Sequence, residues 1–112
     1  MVIATNRSPL YERCLEIINS LDEKLYLPEN VTKKAVELLD KVINDDEIRL
    51  KIQGRKPTSI AASLVYIASN IEGFRLTQRE IMEAFEYQIA EVTITKNYRD
   101  LLTLMGMSNL IK

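Results

Sequence analysis

The residues best suited to binding chemistry lie on one face of the last predicted helix, residues 91–104. At helical spacing this face comprises Val92, Thr95, Lys96, Arg99 and Thr103. It carries two cations, two hydroxyls and no acid, and such groups hold phosphates and form hydrogen bonds at base edges. An ordinary amphipathic helix with a solvated polar face explains the same pattern. The face alone leaves both interpretations open.

A second group of cations lies near the middle of the chain. It comprises Arg49, Lys51, Arg55 and Lys56, and three acids (Asp45, Asp46 and Glu47) immediately precede it. A short basic run of this kind is typical of a solvated loop. The net charge of the chain is −1, so its overall charge does not indicate nucleic-acid binding.

The composition excludes several classes of enzyme and site. The chain has no histidine, which excludes Ser-His-Asp and Cys-His catalysis and histidine metal ligands. Its one cysteine, Cys14, cannot form an internal disulfide, and its apolar neighbours indicate a core residue. No glycine-rich phosphate loop is present. We therefore expect no enzymatic activity, no cofactor and no metal. No apolar run approaches the roughly 18 residues of a membrane-spanning helix, so no membrane partner is expected.

The apolar pattern predicts five helices in a single all-α domain over residues 1–112. The first begins with Ser8 as the N-cap and Pro9 as the first helical residue. The third, which starts at Pro57, is charge-free and apolar around most of its circumference. Such a helix must be surrounded by others, so we expect it at the centre of the domain.

The last two helices are predicted to form a helix-turn-helix over about residues 77–104. Thr77 and Glu80 have the spacing of a capping box at the start of the fourth helix. Ile89 and Ile94 are expected to fill the space between the two helices. This arrangement would present the polar face of the fifth helix outward.

Three motifs occur in order along the chain: GRKPTSIAASLVYIASN (54–70), RLTQREI (75–81) and AEVTITKNYRDLL (90–102). Together they resemble the second cyclin-like repeat of transcription factor IIB and of its archaeal counterpart, TFB. The resemblance implies a five-helix cyclin-like fold around the third helix. It also implies the family's role, in which this repeat binds promoter DNA together with TATA-binding protein. Its helix-turn-helix reads the B recognition element upstream of the TATA box.

The resemblance also implies a set of DNA-contacting residues. Val92 and Thr93 would face bases or phosphates at the start of the reading helix, and Thr95 takes the place of the family's base-contacting arginine. The residues expected at the phosphate backbone are Gly54, Arg55, Lys56, Gln78 and Arg79, and the cations that keep positive charge on the reading helix are Lys96 and Arg99.

Three positions depart from the family pattern. Thr95 removes a bidentate guanine contact that is worth roughly 1–3 kcal/mol of discrimination. Asn97 stands where a second arginine is common, and Ala90 replaces the usual Ser or Thr cap at a cost of about 1 kcal/mol. We therefore expect phosphate attraction with weakened or altered base specificity. The alternative is a cyclin-like protein–protein interaction module that has lost sequence-specific DNA reading.

The partners implied by the resemblance are double-stranded promoter DNA, TATA-binding protein and RNA polymerase. The polymerase would be reached through N-terminal parts of a full-length factor that this chain lacks. We expect either an excised C-terminal domain or a shortened free-standing relative, monomeric and intracellular. Its location would be the cytoplasm in an archaeon and the nucleus in a eukaryote.

Overall fold

A computed structural model describes residues 9–86 and 88–107. Within these residues the chain forms six α-helices and no strand, so the all-α class is confirmed. The helices are α1 (Pro9–Leu25), α2 (Glu29–Asn44), α3 (Asp46–Lys51), α4 (Pro57–Ile71), α5 (Gln78–Ala84) and α6 (Glu91–Leu104). Ser8, predicted as the first N-cap, and both ends of the predicted 1–112 domain lie outside the described residues.

Helix α3 is the element that the five-helix prediction omitted. It occupies the first part of the charged segment, which the sequence pattern assigned to a loop. The Asp45 carboxylate caps it by accepting a hydrogen bond from the Ile48 N–H at 3.1 Å. Arg49 pairs with Asp46 at 2.6 Å, one turn apart. Because Ile48 is buried, this six-residue helix is anchored to the core by an apolar side chain within a charged segment.

Helix α4 lies at the centre of the fold and packs against α1, α2 and α6. Ten of its 15 residues are buried, which confirms the central position predicted from its charge-free sequence. Pro57 occupies its first turn, where the missing N–H sacrifices no hydrogen bond. The helix ends at Ile71, and Gly73 follows two residues later with a φ of +74°, which allows the Phe74 N–H to bond to the Ser69 carbonyl at 2.9 Å.

The short helix α5 is held between α1 and α6. Lys24, in the last turn of α1, donates to the Ala84 carbonyl at 3.0 Å and satisfies an orphan acceptor at the end of α5. Ile81, Ile89 and Ile94 are all buried where α5, the following turn and α6 meet. The predicted apolar filling by Ile89 and Ile94 is therefore confirmed, and α5 and α6 rest on the same core.

Candidate nucleic-acid interface

The start of α5 is fixed by the predicted capping box. The Glu80 N–H donates to the Thr77 hydroxyl at 3.1 Å, and the Glu80 carboxylate accepts from the Thr77 N–H at 2.9 Å. Two of the four unpaired N–H groups at this helix end are thereby satisfied. The capping box places Gln78 and Arg79 at the first two positions of α5, with Arg79 exposed and Gln78 half-buried.

Helix α6 has one buried face and one outer face, as predicted. Its buried residues are Ile94, Asn97, Tyr98, Leu101 and Leu102. Tyr98 packs edge-on against Tyr66 of α4, with ring centroids 5.0 Å apart. The outer face carries Lys96, Arg99 and Thr103 together with Val92, whose side chain is 73% exposed. The outer face therefore combines cations with one exposed apolar group.

Gln78 and Thr95 contact each other across the α5–α6 junction. The Thr95 hydroxyl donates to the Gln78 Oε1 at 2.9 Å, and both side chains are half-buried. The sequence motifs predict separate roles for these residues, Gln78 as a phosphate contact and Thr95 as a replacement for arginine. The structure makes them a hydrogen-bonded pair beside the outer face of α6.

Arg55 lies against α6. One guanidinium nitrogen donates to the Asn97 Oδ1 at 2.9 Å, and another donates to the Asp100 Oδ2 at 2.8 Å. The Asn97 amide in turn donates to the Thr93 carbonyl at 2.9 Å, so the carboxamide is fixed at both ends. Since the Arg55 side chain is 27% exposed, these bonds form in a partly desolvated setting. Arg55 thus links the loop before α4 to α6.

The other predicted cations remain accessible. Lys56, Arg79, Lys96 and Arg99 are exposed. The Lys96 ammonium is 3.8 Å from the Asp100 carboxylate, but 73% of the Lys96 side chain is exposed, so this pair is weak and easily exchanged for another anion.

A cleft of about 460 Å³ separates the loop that contains Gly54 and Lys56 from the start of α6. Thr93 and Gln88 also line this cleft. Among the described residues, no side chain caps the N-terminus of α4 or of α6, which agrees with the missing cap expected at Ala90. Unpaired N–H groups and the helix dipoles favour an anion here. The cleft therefore brings Gly54, Lys56 and Thr93 to one place suited to phosphate.

The roles of Asn97 and Asp100 at this site were not predicted from the sequence. The family pattern indicates only that Asn97 stands where a second arginine is common. In the structure its side chain is 7% exposed and accepts a hydrogen bond from Arg55. Their spacing of three residues on α6 signals a shared face. That spacing does not indicate that both residues bind Arg55, which is 42 to 45 positions away in the sequence.

The described part of the chain shows no metal centre and no membrane span. In residues 9–86 and 88–107, no three or more side chains of the metal-binding types are grouped closely enough to hold an ion. No helix in the same ranges is long and apolar enough to cross a bilayer. Cys14 is fully buried, with its Sγ 3.8 Å from the Pro57 carbonyl. Burial raises the pKa of its thiol to about 11, which leaves it unreactive at neutral pH.

Comparison with known proteins identifies relatives with a consistent name. Transcription initiation factor IIB of Pyrococcus horikoshii is 31% identical over 98 residues, which cover 88% of this chain and 31% of that protein. The Archaeoglobus fulgidus protein of the same name is 40% identical over 83 residues, covering 74% of this chain and 24% of its own length. The Methanopyrus kandleri protein of the same name is 38% identical over 84 residues, which cover 75% of this chain and 25% of that protein. The chain spans about a third or less of these curated relatives.

The family match covers most of the described fold. The profile of the transcription factor TFIIB repeat matches residues 10–103, from the first turn of α1 to the last turn of α6. The relatives are transcription initiation factors, which are not enzymes. This chain therefore belongs to the TFIIB repeat family.

Proposed function

We propose that this chain is the DNA-binding module of a IIB-type transcription initiation factor. In this role its α5–α6 pair acts as a helix-turn-helix that reads promoter DNA upstream of the TATA box, at the B recognition element, beside TATA-binding protein. The observation that carries the proposal is the outer face of α6, which is exposed, cationic and flanked by the fixed start of α5.

The distribution of charge supports phosphate binding at this face. Lys96 and Arg99 project from α6, Arg79 lies at the start of α5, and Lys56 borders the cleft. Cations of this kind attract the DNA backbone without regard to sequence and fix the orientation of the protein. Residues 54–112 carry 7 basic and 6 acidic side chains, against 8 and 10 in residues 1–53. This near-balance argues for weak binding by the chain alone and for dependence on TATA-binding protein.

Contact with RNA polymerase belongs to the whole factor in this proposal. The chain matches a third or less of its relatives, so those surfaces would lie in other parts of a full-length protein. A protein-interaction module is less well supported, because the three large apolar side chains that are exposed among the described residues lie on three separate elements. They are Tyr26 after α1, Leu50 on α3 and Val92 on α6.

The test is fluorescence anisotropy on a labelled TATA-containing duplex, with and without TATA-binding protein, at several salt concentrations. We expect binding that strengthens as salt falls and depends on the sequence upstream of the TATA box. Lys56→Glu combined with Lys96→Glu should weaken binding to all sequences alike. It should also lower the slope of log affinity against log salt by about 2. The matched control is Lys33→Glu, an exposed cation on α2, which should change little.

No DNA signal at low salt with TATA-binding protein present would refute the proposal and favour the protein-interaction module. An unchanged affinity in the Lys56→Glu, Lys96→Glu variant would remove this face from the interface.

A further inference from the structure

The pair formed by Gln78 and Thr95 lies beside the outer face of α6, which the proposed function assigns to DNA reading. Thr95 is in the second turn of α6, between Val92 one turn earlier and Arg99 one turn later on the outer face. Its hydroxyl donates to the Gln78 Oε1 at 2.9 Å, so the Gln78 carboxamide lies beside this outward row of side chains. A threonine side chain is too short to extend into a groove as an arginine does, but it can hold a longer neighbour.

The hydrogen bond from Thr95 sets the orientation of the carboxamide. With the Oε1 held by the hydroxyl, the Gln78 Nε2 has two N–H donors that bond to no other described residue. The Oε1 also retains a second lone pair. The free edge therefore offers one donor and one acceptor side by side. That combination matches the N7 acceptor and N6 donor of adenine, whereas guanine presents two acceptors at the corresponding positions.

We propose that Gln78 is the specificity-determining residue of this chain, that Thr95 is its positioning residue, and that the base read is adenine. This inference rests on the proposed function, since it concerns the same face of the same helix pair. Where an arginine at position 95 would bind guanine, Gln78 at the start of α5 binds adenine instead. Base specificity is then altered rather than abolished.

The experiment uses the full chain with TATA-binding protein and a set of duplexes in which each upstream position carries each base in turn. We expect one position at which adenine is preferred over guanine by about tenfold. Replacement of that adenine by 7-deazaadenine, which lacks the N7 acceptor, should lower affinity by a similar factor. Gln78→Ala should abolish both effects while keeping the salt dependence of binding.

Three further variants separate base reading from a structural role. Gln78→Glu, which can only accept hydrogen bonds, should shift the preference from adenine to cytosine. Thr95→Val keeps the shape of the side chain and removes the hydroxyl, so it should reduce the adenine preference several-fold. Thr95→Ser restores the donor and should retain the preference. Circular dichroism melting of each variant checks that the fold is intact.

The outcomes distinguish this inference from the proposed function. If Gln78→Ala weakens binding to all duplexes equally, Gln78 is a phosphate contact and the inference is overturned while DNA binding stands. A guanine preference, or an adenine preference that survives Gln78→Ala, also overturns it. Absence of DNA binding in the wild-type chain overturns both.

Discussion

Removal of the Arg55 guanidinium should destabilise the fold, although Arg55 lies in a loop. Arg55→Met keeps much of the apolar stem and deletes both hydrogen bonds to α6. The Asn97 Oδ1, on a side chain only 7% exposed, would lose its partner at a cost of about 1–3 kcal/mol. The bond to Asp100 adds less than a buried ion pair, because that carboxylate side chain is 37% exposed and Lys96 lies nearby.

The expected total is a loss of about 2 kcal/mol in the free energy of unfolding, mostly from the orphaned Asn97 acceptor. For a domain of this size that loss lowers the melting temperature by roughly 10 °C. Thermal unfolding followed by circular dichroism measures it. The matched control is Lys56→Met, which removes the adjacent cation, and whose side chain is exposed. That change should stay within about 0.5 kcal/mol of the wild type.

The same pair of variants separates stability from DNA binding. Lys56→Met should weaken DNA binding and lower its salt dependence without loss of stability, because its charge is free to meet phosphate. A double-mutant cycle of Arg55→Met with Asp100→Asn should give a coupling energy of at least about 0.5 kcal/mol. If Arg55→Met and Lys56→Met melt at the same temperature, the proposed link between the loop and α6 is refuted.

Two further predictions concern the core and the start of α6. Burial raises the pKa of the Cys14 thiol from 9.0 to about 11, so the unfolded chain loses this proton first as pH rises. The free energy of unfolding should therefore fall by about 2–3 kcal/mol as pH rises through that interval. Urea titrations at several pH values should show this fall relative to Cys14→Ala, and parallel pH profiles for the two proteins would contradict it. Ala90→Ser should add a capping hydrogen bond to α6 and raise the free energy of unfolding by about 1 kcal/mol in the same titrations. Ala90→Val, which has no side-chain oxygen, should give no gain, and an equal gain from both would show that capping is not the cause.

Much of the fold follows from local patterns. The central position of α4 follows from a charge-free segment of helical length, because such a helix can be stable only when other helices surround it. The capping box at Thr77 and Glu80 depends on residues a few positions apart, and so does the termination of α4 just before Gly73. Their spacing therefore predicts both directly.

Helix α3 shows where local pattern was insufficient. Its six residues are too few to be stable in isolation, and five of them are exposed. Burial of Ile48 against the core, together with the Asp45 cap, makes the helix form. The charge run by itself favours a loop, since nothing in it indicates that the segment packs against α2 and that Ile48 is buried.

Sequence alone determined that this chain is an all-helical TFIIB repeat with a cationic outer face on its last helix, because periodicity, caps and family motifs are local and are read in order. Tertiary structure decided which of the predicted DNA-contacting side chains bond to other residues of the protein and which stay exposed. Packing of α6 beside the loop before α4 engages Arg55 with Asn97 and Asp100, and packing beside α5 pairs Thr95 with Gln78. These partners are 17 to 45 positions apart. Hydrogen bonds over such separations form only when the whole core brings the two elements together.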